Sequence, residues 1–430
     1  MTDLFAGLDD RLPALHELYR DLHAHPELSF QEVRTAGIVA SRLRGQGWEV
    51  TEGVGGTGVV GVLSSGDGPV VLLRADMDGL PVLEETGLPY ASTRTAVDAA
   101  GNEVPVMHAC GHDVHVTCLL GATAQLARNR DAWQGTVVAV FQPAEEIGGA
   151  PAVVQDGFAE RFPRADVCLG QHVSPIPAGA VGTRPGPVMA AADTLRVRLF
   201  GRGGHGSRPE STVDPVVLAA AVVTRLQSVV AREVAAGSLA VVTVGAIHAG
   251  TKANIIPSTA ELHISVRSET AAIREQLLAG VRRIVHGEAV AAGADREPEV
   301  VVTETFPVTA NDPAATATVL GAFTDTFGAG PVFTLPQPVT GSEDFAAFGA
   351  ALGAPSVYWL FGGLDHAAFD GLDQAALLEN GVPSHIPSNH SPLFAPAPDP
   401  TIELGVRYLL TAAAPWLAVR SGRAGDGRED

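Results

Sequence analysis

"PVVLLRADMD", residues 69–78, opens on a run of β-branched and aliphatic side chains and closes on two aspartates two positions apart. An unbroken apolar run of this length is the pattern of a strand buried on both faces, as in a parallel sheet. Two further stretches repeat the device: "GTVVAVFQPAEE" (135–146) ends in Glu145 and Glu146, and "ADVCLGQH" (165–172) ends in Gln171 and His172. In an open α/β sheet, ligands gather beyond the carboxyl ends of the strands, so three separate segments should deliver metal-binding side chains to one edge. Longer helical patterns alternate with the short runs, which predicts an α/β fold.

Composition bounds what such a sheet can serve. At 430 residues the chain exceeds the size at which one core stops growing, so two domains are expected. Hydrophobic residues make up 46% and charged residues 18%, which suits a packed protein, and no segment holds about 18 uninterrupted apolar residues. Twenty-eight basic against 48 acidic residues leave a net charge of −20, which repels nucleic-acid backbones and anionic membranes. Neither is expected as a partner. The three cysteines, 110, 118 and 168, follow an opening with no basic start and apolar run, so a reducing, cytoplasmic setting with free thiols is expected.

One of those thiols stands in "MHACGHDVH" (107–115), where Cys110, His112, Asp113 and His115 crowd into six positions. In a reducing compartment Cys110 should be a free thiol or a metal thiolate. Read singly, Asp76 and Asp78 each fit a turn former or helix N-cap. The doublet Glu145–Glu146 does not, because charge at the mouth of a buried strand is costly. In extended chain the two would point to opposite sides, one toward a metal and one toward a water. "HAHPE", with His23, His25 and Glu27, reads as a structural turn, since His25 precedes Pro26. The isolated His16, His248, His263 and His286 read as surface or satisfied core.

Residues 188–303 change character. A strand runs into the glycine-rich "GRGGHGSRP", followed by a helix over 214–233, strands over 238–250 and 258–268, and a helix over 270–293. This βαββα order predicts a small half-polar sheet with two helices on one side and an edge free for pairing. The α/β pattern then resumes, with "PSVYWLFGG" (355–363) as a strand. The expected division is a catalytic domain over 1–187 and 304–430, with a lid or dimerisation domain inserted at 188–303.

In order along the chain, "LRADMDGLP", "MHACGHDVH", "FQPAEE", "LGQH", "GRGGHGSRP", "GTKANIIP", "VRS", "GSEDF" and "NHSPLF" resemble the amidohydrolases of the aminoacylase and carboxypeptidase G2 family. The branch most resembled contains hippurate hydrolase and the plant auxin-conjugate hydrolases, and the likeness runs from about Tyr19 to about Leu410. It implies an α/β/α metallopeptidase-type domain with the insertion as lid and homodimer surface. It also implies two divalent ions per subunit, zinc, manganese or another late divalent ion, held by Cys110, His112, Glu146, His172 and His390. Asp78 would orient a ligand, and Cys110 would replace the histidine that many relatives carry where Asp76 aligns. Glu145 would be the general base, and His205 would stabilise the oxyanion from the opposite subunit. Asn254 and Arg267 would grip a substrate carboxylate. "GSEDF" reads instead as a helix start with Ser342 as N-cap. The implied reaction is hydrolysis of an N-acyl amino acid, with a dipeptidase or carbamoyl-amino-acid hydrolase, and then a non-catalytic metal-binding dimer, as alternatives.

Overall fold

The computed structural model describes residues 2–372 and 381–417. The chain divides into two compact units. The first takes the chain through Val188, Ala310–Gln337 and the part from Asp344 onward; the second takes Met189–Thr309 and returns for Pro338–Glu343.

The first unit is built on an eight-stranded sheet. Its order is Glu49–Val54, Gly58–Ser65, Gly135–Gln142, Val70–Asp76, Val167–Pro177, Ser356–Leu364, Val181–Thr183 and Val332–Thr334. The three strands that carry the metal-type residues are neighbours, and Val70–Asp76 runs parallel to both of its partners. In register, Asp76 lies opposite Gln142 and Arg74 opposite Gly170, so the strand ends fall on one edge. Val71, Leu73, Val137, Ala139, Val167 and Leu169 belong to the core cluster, together with the largely buried helix His112–Arg128. Gly111 turns the chain into that helix with φ 84°, and a Cβ there would stand 2.4 Å from Val173 Cγ1, so both the conformation and the space require glycine.

Strand Val167–Pro177 continues past the expected end, so Gln171 and His172 lie within it. Glu145 and Glu146 sit in a short 3₁₀ turn, Glu145–Ile147, entered through Ala144 at φ 56°. Opposite faces of an extended strand therefore do not describe the pair. The segment after Ser342 also departs from expectation: the helix spans Ala346–Leu352 with no side-chain cap, and Asp344 serves a buried network in place of a first helical turn.

The second unit holds a four-stranded antiparallel sheet in the order Ala240–Ala249, Thr259–Ser268, Ala191–Phe200 and Glu299–Phe306. The fourth strand corrects the βαββα reading, whose limit at 303 cuts through it. "EVVVTETF" alternates too weakly to be separated from the loop before it. Alternate residues Leu195, Val197, Leu199, Leu262, Ile264 and Val266 face helices Pro215–Glu233 and Ala271–Ala291. Pro215–Glu233 is long and apolar enough to cross a membrane by composition alone. Here its Leu218, Val222, Leu226 and Val229 are buried in the small core.

Candidate metal centre

His112 opens its helix and is fully buried. Its Nδ1 faces the Asp78 carbonyl at 2.9 Å and Asp78 Oδ1 at 3.2 Å, which leaves Nε2 as the outward ligand atom. Among the described residues that nitrogen has no hydrogen-bond partner, nor has Glu146 Oε1, 3.9 Å away. His390 Nε2 lies 3.4 Å from the same oxygen. His172 repeats the arrangement: Nδ1 donates to the Val173 carbonyl at 2.7 Å, and Nε2 stands 3.5 Å from Cys110 Sγ.

Each pair approaches without a good hydrogen bond, and the spacing has a simple reading. Bonds of roughly 2.0–2.3 Å to a tetrahedral ion put neighbouring donors about 3.3–3.8 Å apart. Cys110, His112 and His172 form one set of donors within 4.8 Å of each other, and Cys110, Glu146 and His390 form a second. Cys110 is common to both, so these residues would hold two adjacent divalent ions, with the Cys110 thiolate available to either. Soft sulfur, imidazole and carboxylate together fit zinc or another late divalent ion.

The electrostatics also ask for a cation. Burial opposes charge on His112, but Asp76, Asp78 and Glu146 outweigh it and push its pKa up to about 10. Burial, then Glu146, Glu145 and Asp76, hold the Cys110 thiol well above its ordinary value. His172 is driven well below its ordinary value by burial and by His115. A divalent ion would relieve the first two conditions and needs the third, since only neutral imidazole binds metal.

Other polar residues brace this group. His115 Nδ1 donates to Asp76 Oδ1 at 2.5 Å while Nε2 accepts from the Val173 amide at 2.8 Å, so both ring nitrogens are engaged. Asp76 also receives Arg74 Nη1 at 2.6 Å, and Arg74 Nη2 reaches Asp344 at 3.1 Å. The turn or N-cap reading of Asp76 therefore gives way to a buried ion pair. His23 is no simple turn residue either: it is fully buried, with Nδ1 2.7 Å from Asp113 and Nε2 3.1 Å from Glu84. Asn389 ties the His390 loop to the Cys110 carbonyl at 3.1 Å. The signal missed was His112 and His115 at three-residue spacing, which shares one helix face.

Cys110, His112, Glu145, Glu146, His172, His390 and Asp78 thus gather in the first unit. His205, Asn254 and Arg267 lie in the second. His205 pairs with Ile255 in a two-stranded lip, and beside it the Gly206 amide donates to the Asn254 carbonyl at 2.9 Å. His205 Nδ1 pairs with Ser207 Oγ at 2.8 Å, and an open cavity of about 920 Å³ lies against His205 and Asn254. Arg267, on strand Thr259–Ser268, is half-buried and donates to the Thr340 carbonyl at 2.9 Å.

Known proteins carry the same frame. The chain is 37% identical over 354 residues to thermostable carboxypeptidase 1 of Saccharolobus solfataricus, covering 80% of this chain and 85% of that one. It is 38% identical over 335 residues to hippurate hydrolase of Campylobacter jejuni, covering 77% and 84%. Among solved structures, the Bacillus subtilis YXEP protein, a dinuclear metal-binding peptidase, superposes with a TM-score of 0.73 at 29% identity, covering 94% of this chain and 98% of that one. The sequence signature of peptidase family M20/M25/M40 matches residues 72–382, from within strand Val70–Asp76 to just short of His390, and the chain belongs to that family of hydrolases.

Proposed function

We propose that this chain hydrolyses the amide bond of N-acyl amino acids, releasing a carboxylic acid and a free amino acid. The observation that carries the reading is the convergence of Cys110, His112, Glu146, His172 and His390, with His112 Nε2 and Glu146 Oε1 buried and without a hydrogen-bond partner among the described residues, and with Glu145 in the same turn as Glu146. Those five residues would hold two divalent ions, which when bound supply polarisation of the scissile carbonyl and of a water. Asp78 keeps His112 aimed through its hydrogen bonds to Nδ1. Glu145 takes the proton of the attacking water at a carboxylate oxygen and returns it to the departing nitrogen. In this reading Asn254 and Arg267 bind the substrate carboxylate, the guanidinium offering two parallel donors, and His205 donates to the developing oxyanion.

The relative named hippurate hydrolase supports an N-acyl amino acid as substrate, and the one named carboxypeptidase supports a peptide substrate as a second reading. Both need the same carboxylate clamp. Activity on N-acetyl, N-benzoyl and indole-acetyl amino acids, dipeptides and carbamoyl amino acids, with zinc or manganese added, separates them. The roles within the doublet are tested by two variants. Glu145→Gln should keep its metal while turnover falls by about 10²-fold or more, and Glu146→Gln should lose metal as well. Equal metal content and equal activity in the two would overturn the assignment.

A further inference from the structure

Among the described residues, three that are not glycine have a left-handed backbone: Phe30 at φ 61°, Ala144 at φ 56° and His390 at φ 71°. An L side chain occupies that region against a steric penalty, so something must hold it there. One atom holds two of the three. Glu32 Oε1 accepts the Phe30 amide at 3.0 Å and the Ala144 amide at 2.8 Å, across 112 residues of sequence. Its other oxygen receives the Thr57 hydroxyl. Glu32 and Ala144 are both fully buried.

The two residues after Ala144 give the contact a use. Their amides, of Glu145 and Glu146, donate at 3.1 Å to the two oxygens of Asp78. Asp78 is itself held by Ser29 Oγ at 2.7 Å and faces His112 Nδ1. Three consecutive amides are thus fixed by two carboxylates, and both carboxylates are anchored by the stretch Ser29–Glu32. The left-handed residue sets the direction in which the Glu145 and Glu146 side chains leave the backbone.

We propose that Glu32 is a positioning residue of the metal site, which locks Ala144 in its left-handed conformation and so aims Glu146 at the metal and Glu145 at the water. This rests on the roles given above to the doublet. Burial and the nearby Asp78 push the Glu32 carboxyl up to about 7, so a neutral amide of the same shape suits the position. A glutamine would keep an acceptor for the two amides and offer a donor to Thr57.

The test is chelator competition on purified protein loaded with zinc or manganese, run beside steady-state kinetics. Glu32→Ala should weaken metal retention and lower kcat, each by about 10- to 100-fold, with KM changed little. Glu32→Gln should stay within about threefold of the parent. Adding Ala144→Gly to Glu32→Ala removes the steric penalty at the turn and should recover part of the metal affinity. Val39→Ala, a cavity in the helix just after Glu32, serves as the control: it should lower the thermal midpoint yet leave metal retention unchanged. If Glu32→Ala does not fold, Glu32→Asp, too short to reach Ala144, replaces it. The proposal is overturned if the shortened variant binds metal within twofold of the parent, if Glu32→Gln is as impaired as Glu32→Ala, or if Ala144→Gly recovers nothing. Glu146→Gln separates the two readings. Loss of metal there without loss in Glu32→Ala refutes only the positioning role, whereas retention in Glu146→Gln refutes the doublet assignment beneath it.

Discussion

Cys110 Sγ stands 3.5 Å from His172 Nε2, and both side chains are buried. The imidazole arrives with its other nitrogen committed to a carbonyl, whereas the thiol is held protonated by burial and by the carboxylates of Glu146, Glu145 and Asp76. Coordination requires the thiolate, so metal loading at neutral pH should expel a proton from Cys110. Calorimetry of zinc binding in buffers of different ionisation enthalpy counts that proton. Cys110→Ser should release about one fewer and bind more weakly. An unchanged proton count would remove Cys110 from the metal shell.

The strand ends were legible because buried parallel strands are uniformly apolar, so Asp76, Glu145, Glu146 and His172 stand out where those runs close. The features that stayed hidden depend on partners far along the chain. Nothing near His23 announces Glu84 or Asp113, which lie 61 and 90 residues away. Ser342 is followed by two acids in the manner of an N-cap, yet Asp344 is drawn off to Arg74 and Gln142, and the helix starts later without it. The left-handed turn at Ala144 had no sequence mark at all, because glycine or asparagine would have been the signal and alanine is neither.

The His23 cluster makes stability depend on pH in a stated direction. Burial opposes the imidazolium, but hydrogen bonds and charge from Asp113 and Glu84 raise its pKa from 6.5 to about 10. A group whose folded pKa is raised stabilises fully below its unfolded pKa and loses that contribution as pH climbs through the folded one. Stability attributable to His23 should therefore decline from about pH 6.5 to about pH 10, at up to about 1.4 kcal/mol per pH unit. Denaturant titrations across that range should show a shallower decline in His23→Gln. Parallel curves for variant and parent would mean the ring is neutral in the fold.

Arg74 is 1% exposed and divides its guanidinium among Asp76, Asp344 and Gln142. Removing the cation leaves carboxylates buried without it, which costs more than the ion pair itself contributes. Arg74→Met should lower unfolding free energy by about 3–5 kcal/mol. Arg74→Lys should fall between Arg74→Met and the parent, since it keeps the charge but loses the fork. Denaturant midpoints at fixed metal concentration measure both. A loss under about 1 kcal/mol for Arg74→Met would show that the surrounding donors suffice.

The insertion raises the question of which subunit a site draws on. His205 is exposed, with Nδ1 occupied by Ser207 and the rest of the ring open. Strand Ala240–Ala249 closes one side of the small sheet, has a single partner strand among the described residues, and exposes Val241 and Ile247. An outer strand with apolar side chains is a natural surface for a symmetric copy of the chain. We expect a homodimer formed through this domain, with His205 serving the metal site of the opposite subunit. His205→Ala should lower kcat by about 10²-fold or more without removing metal, because the lost group is a donor to the oxyanion. Mixing His205→Ala with Glu145→Gln under conditions of subunit exchange then decides the arrangement. If His205 acts across the interface, each mixed dimer holds one site with both residues intact and should show about half the parental rate. If it acts within its own chain, both sites of the mixed dimer carry one defect and the mixture should remain inactive, with heterodimer formation verified by differential tagging.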